Sequence, residues 1–378
     1  MALGLTNKVL ADVRKYAQSM HEDMIKEVIA ICEIPAPSYH EEKRAAYIMK
    51  RFQDYGLEAY TDEVNNVIAY VPANVEGKPA LMFAGHIDTV FPAGIDVTVT
   101  RKGNKLYAPG IRDNSAGAAG VVMLARALQD LDIEHGDLYL VGTACEEGLG
   151  DLRGMKAAYQ VLKDKIDYVI GVDGGLGGMI HAGIGSRRLK VTVTTGGGHS
   201  WGAFGVPSAI HVLGKMIGQI ADIKVPKDPK TSFNVGVIEG GTSINTIAAS
   251  ASMLIDMRSV QLGPLQRVEK EVRQIIEHTA AAQDVAVAIE VVGDRPVGYL
   301  NADHPLVKTA SDVLGYLGLP KRSGASSTDC NVPLSDGKPA VCVGVTTGKY
   351  GHRVDEIMDI DPLPLGLEQL ILLLMLLK

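Results

Sequence analysis

His86, Asp113, Glu147, Asp173 and His352 are residue types that bind divalent metals, and each stands where a strand-like or apolar run gives way to a turn. Two divalent ions sharing one bridging carboxylate need about this set of nitrogen and oxygen donors. Glu146 lies directly beside Glu147, where a general base would be wanted. The chemistry these residues suit is two-metal hydrolysis of an amide bond.

Placement, not residue type, carries this reading. A His-x-Asp such as His86–Asp88 is unremarked among 10 histidines, and the Glu41-Glu42 pair reads as a solvated helix turn. Glu146-Glu147 instead ends an apolar run, where two acids are costly to hold without a cation. The same holds for Asp173 between VIGV and GGLGG. Neighbouring side chains on a strand point to opposite faces. At the turn that follows they can converge, so one acid can bind metal while the next holds a water. Other chemistries fit less well. GLGDLRG and GVTTGKY lack the spacing of nucleotide-binding loops. A Ser-His-Asp triad is not expected, because no nucleophile elbow of the G-x-S-x-G kind is read in the chain. Cys145 beside acids would have a raised pKa, which disfavours a thiol nucleophile.

The elements that must position these residues follow from patterning. Residues 7–32 and 40–55 read as amphipathic helices, the second opened by a capping box at Ser38 and Glu41. Residues 67–73, 80–90, 137–147 and 166–175 read as strands, with helices at 115–131 and 154–163. This alternation predicts an α/β fold, a three-layer α/β/α catalytic domain with a mostly parallel sheet. Ligands gather at the carboxyl ends of such strands. Strand-like 187–195, helix 206–222, strands 233–238 and 249–260, helix 264–282 and strand 284–292 give a β-α-β-β-α-β order, which predicts an inserted ferredoxin-like α+β layer. Helix 305–318 and strand 340–346 resume the first pattern. The expected domains are therefore 1–185 and 297–378 for the catalytic part and 186–296 for the insertion.

With 378 residues, 46% hydrophobic and 21% charged, the composition is that of a soluble globular protein with ample core. A net charge of −7 without a basic block argues against nucleic acid as a partner. Cys32, Cys145, Cys330 and Cys342 show no CxxC spacing and read as reduced thiols of a cytoplasmic protein. The N-terminal stretch carries charges throughout and is no signal peptide. The apolar LEQLILLLMLLK at the C-terminus is too short to span a bilayer and reads as a buried closing helix, so no membrane partner is expected.

Several stretches, in order, resemble one known family: GHIDTV (85–90), GIRDNSAG (110–117), ACEEGLG (144–150), GVDGG (171–175), GGGHSWGAFGVPSAI (196–210), GGTSINTIAASASMLIDMRS (240–259), SSTDCN (326–331) and GHRVDE (351–356). The chain resembles the co-catalytic zinc exopeptidases that include peptidase T, glutamate carboxypeptidase, acetylornithine deacetylase and aminoacylase. Its opening third is most similar to the peptidase T branch. The resemblance implies that His86 and Asp173 hold one ion, Glu147 and His352 the other, and that Asp113 bridges them. It implies that Asp88 orients His86, that Glu146 is the general base, and that the peptide bond after Asp113 is cis. It implies that His199, on the inserted lid, stabilises the oxyanion, and that Asn245 and Arg258 bind the substrate; an ion pair of Arg258 with Asp256 is the plainer alternative. The expected cofactors are two divalent ions, zinc suiting the donors and cobalt or manganese able to replace it. The expected function is peptidase action on short peptides (aminopeptidase, tripeptidase or dipeptidase), with an N-acyl amino acid amidohydrolase or a metal-free binding protein as alternatives. A homodimer through the lid domain is also implied. Two departures stand out: Trp201 is bulky where the family tolerates small residues, and Asn114 replaces a frequent second acid.

Overall fold

The computed structural model describes residues 3–378. Its central sheet has the strand order Glu58–Thr61, Val67–Val71, Leu138–Thr143, Leu81–His86, Tyr168–Val172, Ala340–Val343, Gly178–Gly183, Gly298–Tyr299, with Arg322–Ser326 also paired to Gly178–Gly183. The middle is parallel: Leu81–His86 lies between Leu138–Thr143 and Tyr168–Val172, and Ala340–Val343 continues on the far side of Tyr168–Val172. The flanks are antiparallel, as at Val67–Val71 against Leu138–Thr143. The central strands are apolar on both faces because both are covered. Phe83, Leu140, Ile170 and Val341 join one core; their neighbours Met82, Tyr139, Val169 and Ala340 join another. The apolar C-terminal run forms the helix Leu363–Leu376 inside the first core. Among the described residues no helix is long and apolar enough to cross a membrane.

Two expectations about elements need correction. Residues 7–32 form two helices, Asn7–Ser19 and His21–Cys32, meeting at Met20. The capping box at Ser38 and Glu41 does not form: the helix begins at Glu42, and no side chain caps it. Both side chains are engaged elsewhere, Ser38 donating to Asp88 and Glu41 accepting from Tyr39 and Cys145.

The chain divides into two compact units. One runs to Gly183 and resumes at Gly298–Lys378; the other is Ile184–Val297. The second unit has the four-stranded antiparallel order Thr231–Gly240, Ser250–Ser259, Gly185–Thr194, Ala286–Arg295, with helices Ala209–Ala221 and Leu262–Ala282 packed in its core. Its elements follow the chain as β-α-β-β-α-β, apart from a two-stranded ribbon of Gly198–His199 and Thr246–Ile247.

Candidate metal centre

Three adjacent parallel strands deliver acids and a histidine to one edge of the sheet. His86 ends its strand; Asp173 follows Tyr168–Val172; Glu146 and Glu147 follow Leu138–Thr143 by three and four residues. Ala84 pairs with Gly171, so His86 and Asp173 each lie two residues further on. A small sheet supplies the rest. In it Lys105–Tyr107 pairs antiparallel with Ile357–Asp359, which sets the loop before Asp113 beside the loop carrying His352.

The result is a close donor cluster. Asp113 Oδ1 is 3.3 Å from His86 Nε2, and Asp113 Oδ2 is 3.3 Å from His352 Nε2. His352 Nε2 is also 3.1 Å from Glu147 Oε1. His86, Asp113 and Glu147 can each turn one ligand atom to within 4.8 Å of the others. Two ligands of one tetrahedral zinc, each about 2.0–2.2 Å from it, stand roughly 3.3–3.6 Å apart. The donor set therefore fits a divalent ion. Asp173 makes no such direct contact with the other donors. Its carboxylate accepts from the Gly174 N–H, and its pKa is raised, first by burial and then by the charge of Asp113.

Electrostatics say the same thing. In the chain alone, protons stand in for the cation. Hydrogen bonds to Asp113 and Glu147 push His352 up to about 10. Burial would lower His86, but Asp113 and Asp88 outweigh it and hold the imidazole well above its ordinary value. Burial would likewise raise Asp113, yet the two histidines hold its carboxyl well below the usual range.

Asp88 ties the cluster together. It is fully buried; Oδ1 accepts from the Glu146 N–H at 2.9 Å, and Oδ2 from the Glu147 N–H at 3.0 Å and the Ser38 hydroxyl at 2.6 Å. Its Oδ1 also lies 3.4 Å from His86 Nδ1. Glu146 is buried, and its charge contributes to raising His86. The Asp113–Asn114 bond is cis. Asn114 explains its own departure from an acid. Its side-chain oxygen accepts from Gly117 N–H and caps the helix Ser115–Asp130, while its NH₂ donates to the carbonyl of Val172, next to Asp173. An aspartate could do the first but not the second.

Sequence reasoning missed several supports. Glu41 is no solvated helix turn: it is fully buried and accepts from the backbone N–H and thiol of Cys145, so it holds the turn that presents Glu146. Burial first, and the charge of Glu41 next, push the Cys145 thiol up to about 12, which leaves it no nucleophile. Asp329, pushed up to about 6 by burial, accepts from Thr143 at the strand end. Glu356, pushed up to about 8 by burial and then by Asp113, lies 3.6 Å from Arg112. SSTDCN and GHRVDE marked both segments, but an acid's burial is decided by tertiary packing.

His199, Asn245 and Arg258 belong to the second unit. His199 Nδ1 accepts from the N–H groups of Trp201 and Gly202, at 3.2 and 3.3 Å, which leaves the ring proton on Nε2. The backbone carbonyl of Asn245 accepts from Ser200 N–H, and its side-chain oxygen from Ser243. Arg258 Nε donates to Asp256 at 2.7 Å, an acid shared with Arg188. One sequence statement is corrected. GHSWG (198–202) does carry the G-x-S-x-G spacing, but turns follow it as far as Gly205 and no helix begins there, so it is no nucleophile elbow.

A mostly parallel α/β sheet with clustered metal-ligating side chains at its strand ends defines a metallohydrolase. The chain belongs to the peptidase family M20/M25/M40, whose match spans residues 82–376, and it is an enzyme of that metallopeptidase family. It is 23% identical over 358 residues to the uncharacterized protein YqjE of Bacillus subtilis strain 168, covering 90% of this chain and 94% of that one. It is 29% identical over 347 residues to a putative succinyl-diaminopimelate desuccinylase of Mycobacterium tuberculosis strain H37Rv, covering 88% and 93%. Among solved structures, a tripeptidase from Staphylococcus aureus subsp. aureus Mu50 shares the fold at a TM-score of 0.79 and 21% identity, covering 94% of this chain and 97% of that one.

Proposed function

We propose that this chain hydrolyses amide bonds in short peptides, as an aminopeptidase, tripeptidase or dipeptidase, with two divalent ions. The observation that carries the reading is Asp113, with one carboxylate oxygen 3.3 Å from each of two imidazoles. His86 and Asp173 would hold one ion, Glu147 and His352 the other, with Asp113 shared. Mixed histidine and carboxylate donors suit zinc, and cobalt or manganese could replace it. When bound, such ions polarise a carbonyl and make water acidic near neutral pH.

The remaining steps fall to the chain. Asp88 fixes the His86 ring and the backbone of the acid pair, so Glu146 is held beside the cluster. Glu146 takes the proton of the attacking water and returns it to the departing amine. His199 presents an Nε2–H, the donor that a tetrahedral oxyanion needs. Asn245 and Arg258 engage the substrate's carboxylate or backbone, with Arg258 held in place by Asp256.

Deacylation of an N-acyl amino acid is the second reading, favoured by the 29% identity to a putative desuccinylase. Free dipeptides, tripeptides and N-acyl amino acids, assayed with and without chelator, decide between them. Hydrolysis of peptides that chelator abolishes and zinc restores is the expected result. Full activity in a verified metal-free preparation would overturn the metal assignment, and turnover of N-acyl amino acids alone would overturn the peptidase.

A further inference from the structure

Three large apolar side chains stand in solvent beside His199 and Asn245. Trp201 is 88% exposed, Phe204 91% and Ile244 103%. Apolar groups grouped in this way on a protein surface mark a place where something binds.

Their backbone is ordered. His199 pairs with Thr246, and Ser200 N–H donates to the Asn245 carbonyl, so Trp201 and Ile244 come next on the two strands of the ribbon. The turn is closed by Ala203 N–H to the His199 carbonyl and by Phe204 N–H to the Trp201 carbonyl. Trp201 N–H is itself held on the imidazole of His199. Trp201 and Phe204 are thereby fixed to the residue that presents the Nε2–H.

Charge narrows the ligand. From Thr195 to Ser208 and from Gly240 to Ser252 there is no Asp, Glu, Lys or Arg. A substrate side chain that is itself charged would find no counter-ion on these segments. A few oriented polar groups within an apolar, aromatic surround are the usual make-up of a small-molecule site.

We propose that Trp201, Phe204 and Ile244 form the specificity surface of this enzyme and take an uncharged, apolar side chain of the substrate, aliphatic or aromatic. This rests on the reading of the chain as a hydrolase of short peptides or N-acyl amino acids, and it holds for either.

Trp201 is the single tryptophan of the chain, so its emission reports this surface alone. The test titrates the full-length, zinc-loaded Glu146→Gln variant with phenylalanine- and leucine-containing dipeptides and tripeptides, with N-acetyl-phenylalanine, and with their glycine, aspartate and lysine counterparts. Apolar ligands should move the emission to shorter wavelength and bind about 10-fold or more tighter than the counterparts, as expected for burying a large apolar side chain. Phe204→Ala in the same background should cut that preference several-fold. In the active enzyme, Trp201→Ala with Phe204→Ala should lower the ratio of kcat/KM for phenylalanine over glycine substrates about 10-fold or more. A phenylalanine ligand that calorimetry shows to be bound, yet that leaves the emission unmoved and binds no better than its glycine counterpart, overturns the inference and spares the hydrolase. Emission that shifts with protein concentration as dimers form, with no response to ligand, also overturns it and makes the surface a subunit contact. Failure to bind or hydrolyse any member of either class sinks the parent reading, and this inference with it.

Discussion

Asp88 meets His86, Ser38 and the backbone of both Glu146 and Glu147, and all of these offer it donors. Asp88→Asn turns one acceptor into an NH₂ group facing those donors. Metal affinity should fall about 10- to 100-fold, as for other outer partners of a ligating histidine. Competition with a chromophoric chelator measures it, and unchanged affinity would show that Asp88 does not act through the ligands. Glu146→Gln preserves shape and removes basicity. It should lower kcat on the order of 10²–10⁴-fold while metal content stays at the wild-type level. A variant as fast as wild type would move the base elsewhere. At this scale the sequence made the donors legible, because acids at the ends of apolar strands have few explanations besides a cation. Glu41 was illegible. Nothing in SYHEEKRAA says that one glutamate of the pair will turn inward onto Cys145 while Glu42 stays exposed.

The helix Ser115–Asp130 begins directly under Asp113, and its seat depends on Gly117. A Cβ there would lie 2.1 Å from the Val172 carbonyl oxygen and 2.2 Å from Asn114 Oδ1. Both atoms belong to the bond by which Asn114 links the Asp113 turn to the strand that leads to Asp173. Alanine must therefore push helix and strand apart. Gly117→Ala should cost about 1–3 kcal/mol, the usual range for overpacking, and weaken metal binding with it. Denaturant unfolding and metal titration read the two effects; an alanine variant as stable as wild type would show that helix and strand yield freely. Elements with a long period were legible: the buried strands and the helix at 115–131 lie where the apolar patterns put them. Short ones were not. Thr100–Lys102, Lys105–Tyr107, Gly348–Lys349 and Ile357–Asp359 have two or three residues each, too few to show alternation, yet they bring Asp113 to His352. The break at Met20 also carries no glycine or proline to announce it.

A whole-molecule question remains in the second unit, whose outermost strand, Thr231–Gly240, pairs on one side only and exposes Val237 and Ile238. Proteins rarely leave such an edge open, and a two-fold dimer is the commonest way to cover one. On the proposed dimer, His199 of one subunit serves the catalytic site of its partner. His199→Ala should then lower kcat roughly 10²–10³-fold, the range for one oxyanion donor, with metal binding intact. The trans arrangement has a separate consequence. A Glu146→Gln subunit and a His199→Ala subunit are each inactive as homodimers. Mixed in equal amounts and allowed to exchange, half of the dimers pair one of each. Each mixed dimer has one site with wild-type Glu146 served by a wild-type His199, so about a quarter of wild-type activity should return. Activity assays before and after exchange, with mixed dimers counted by native mass spectrometry, make the measurement. If mixed dimers form and no activity returns, His199 serves its own subunit or does no chemistry. A chain that stays monomeric at assay concentration removes the dimer outright.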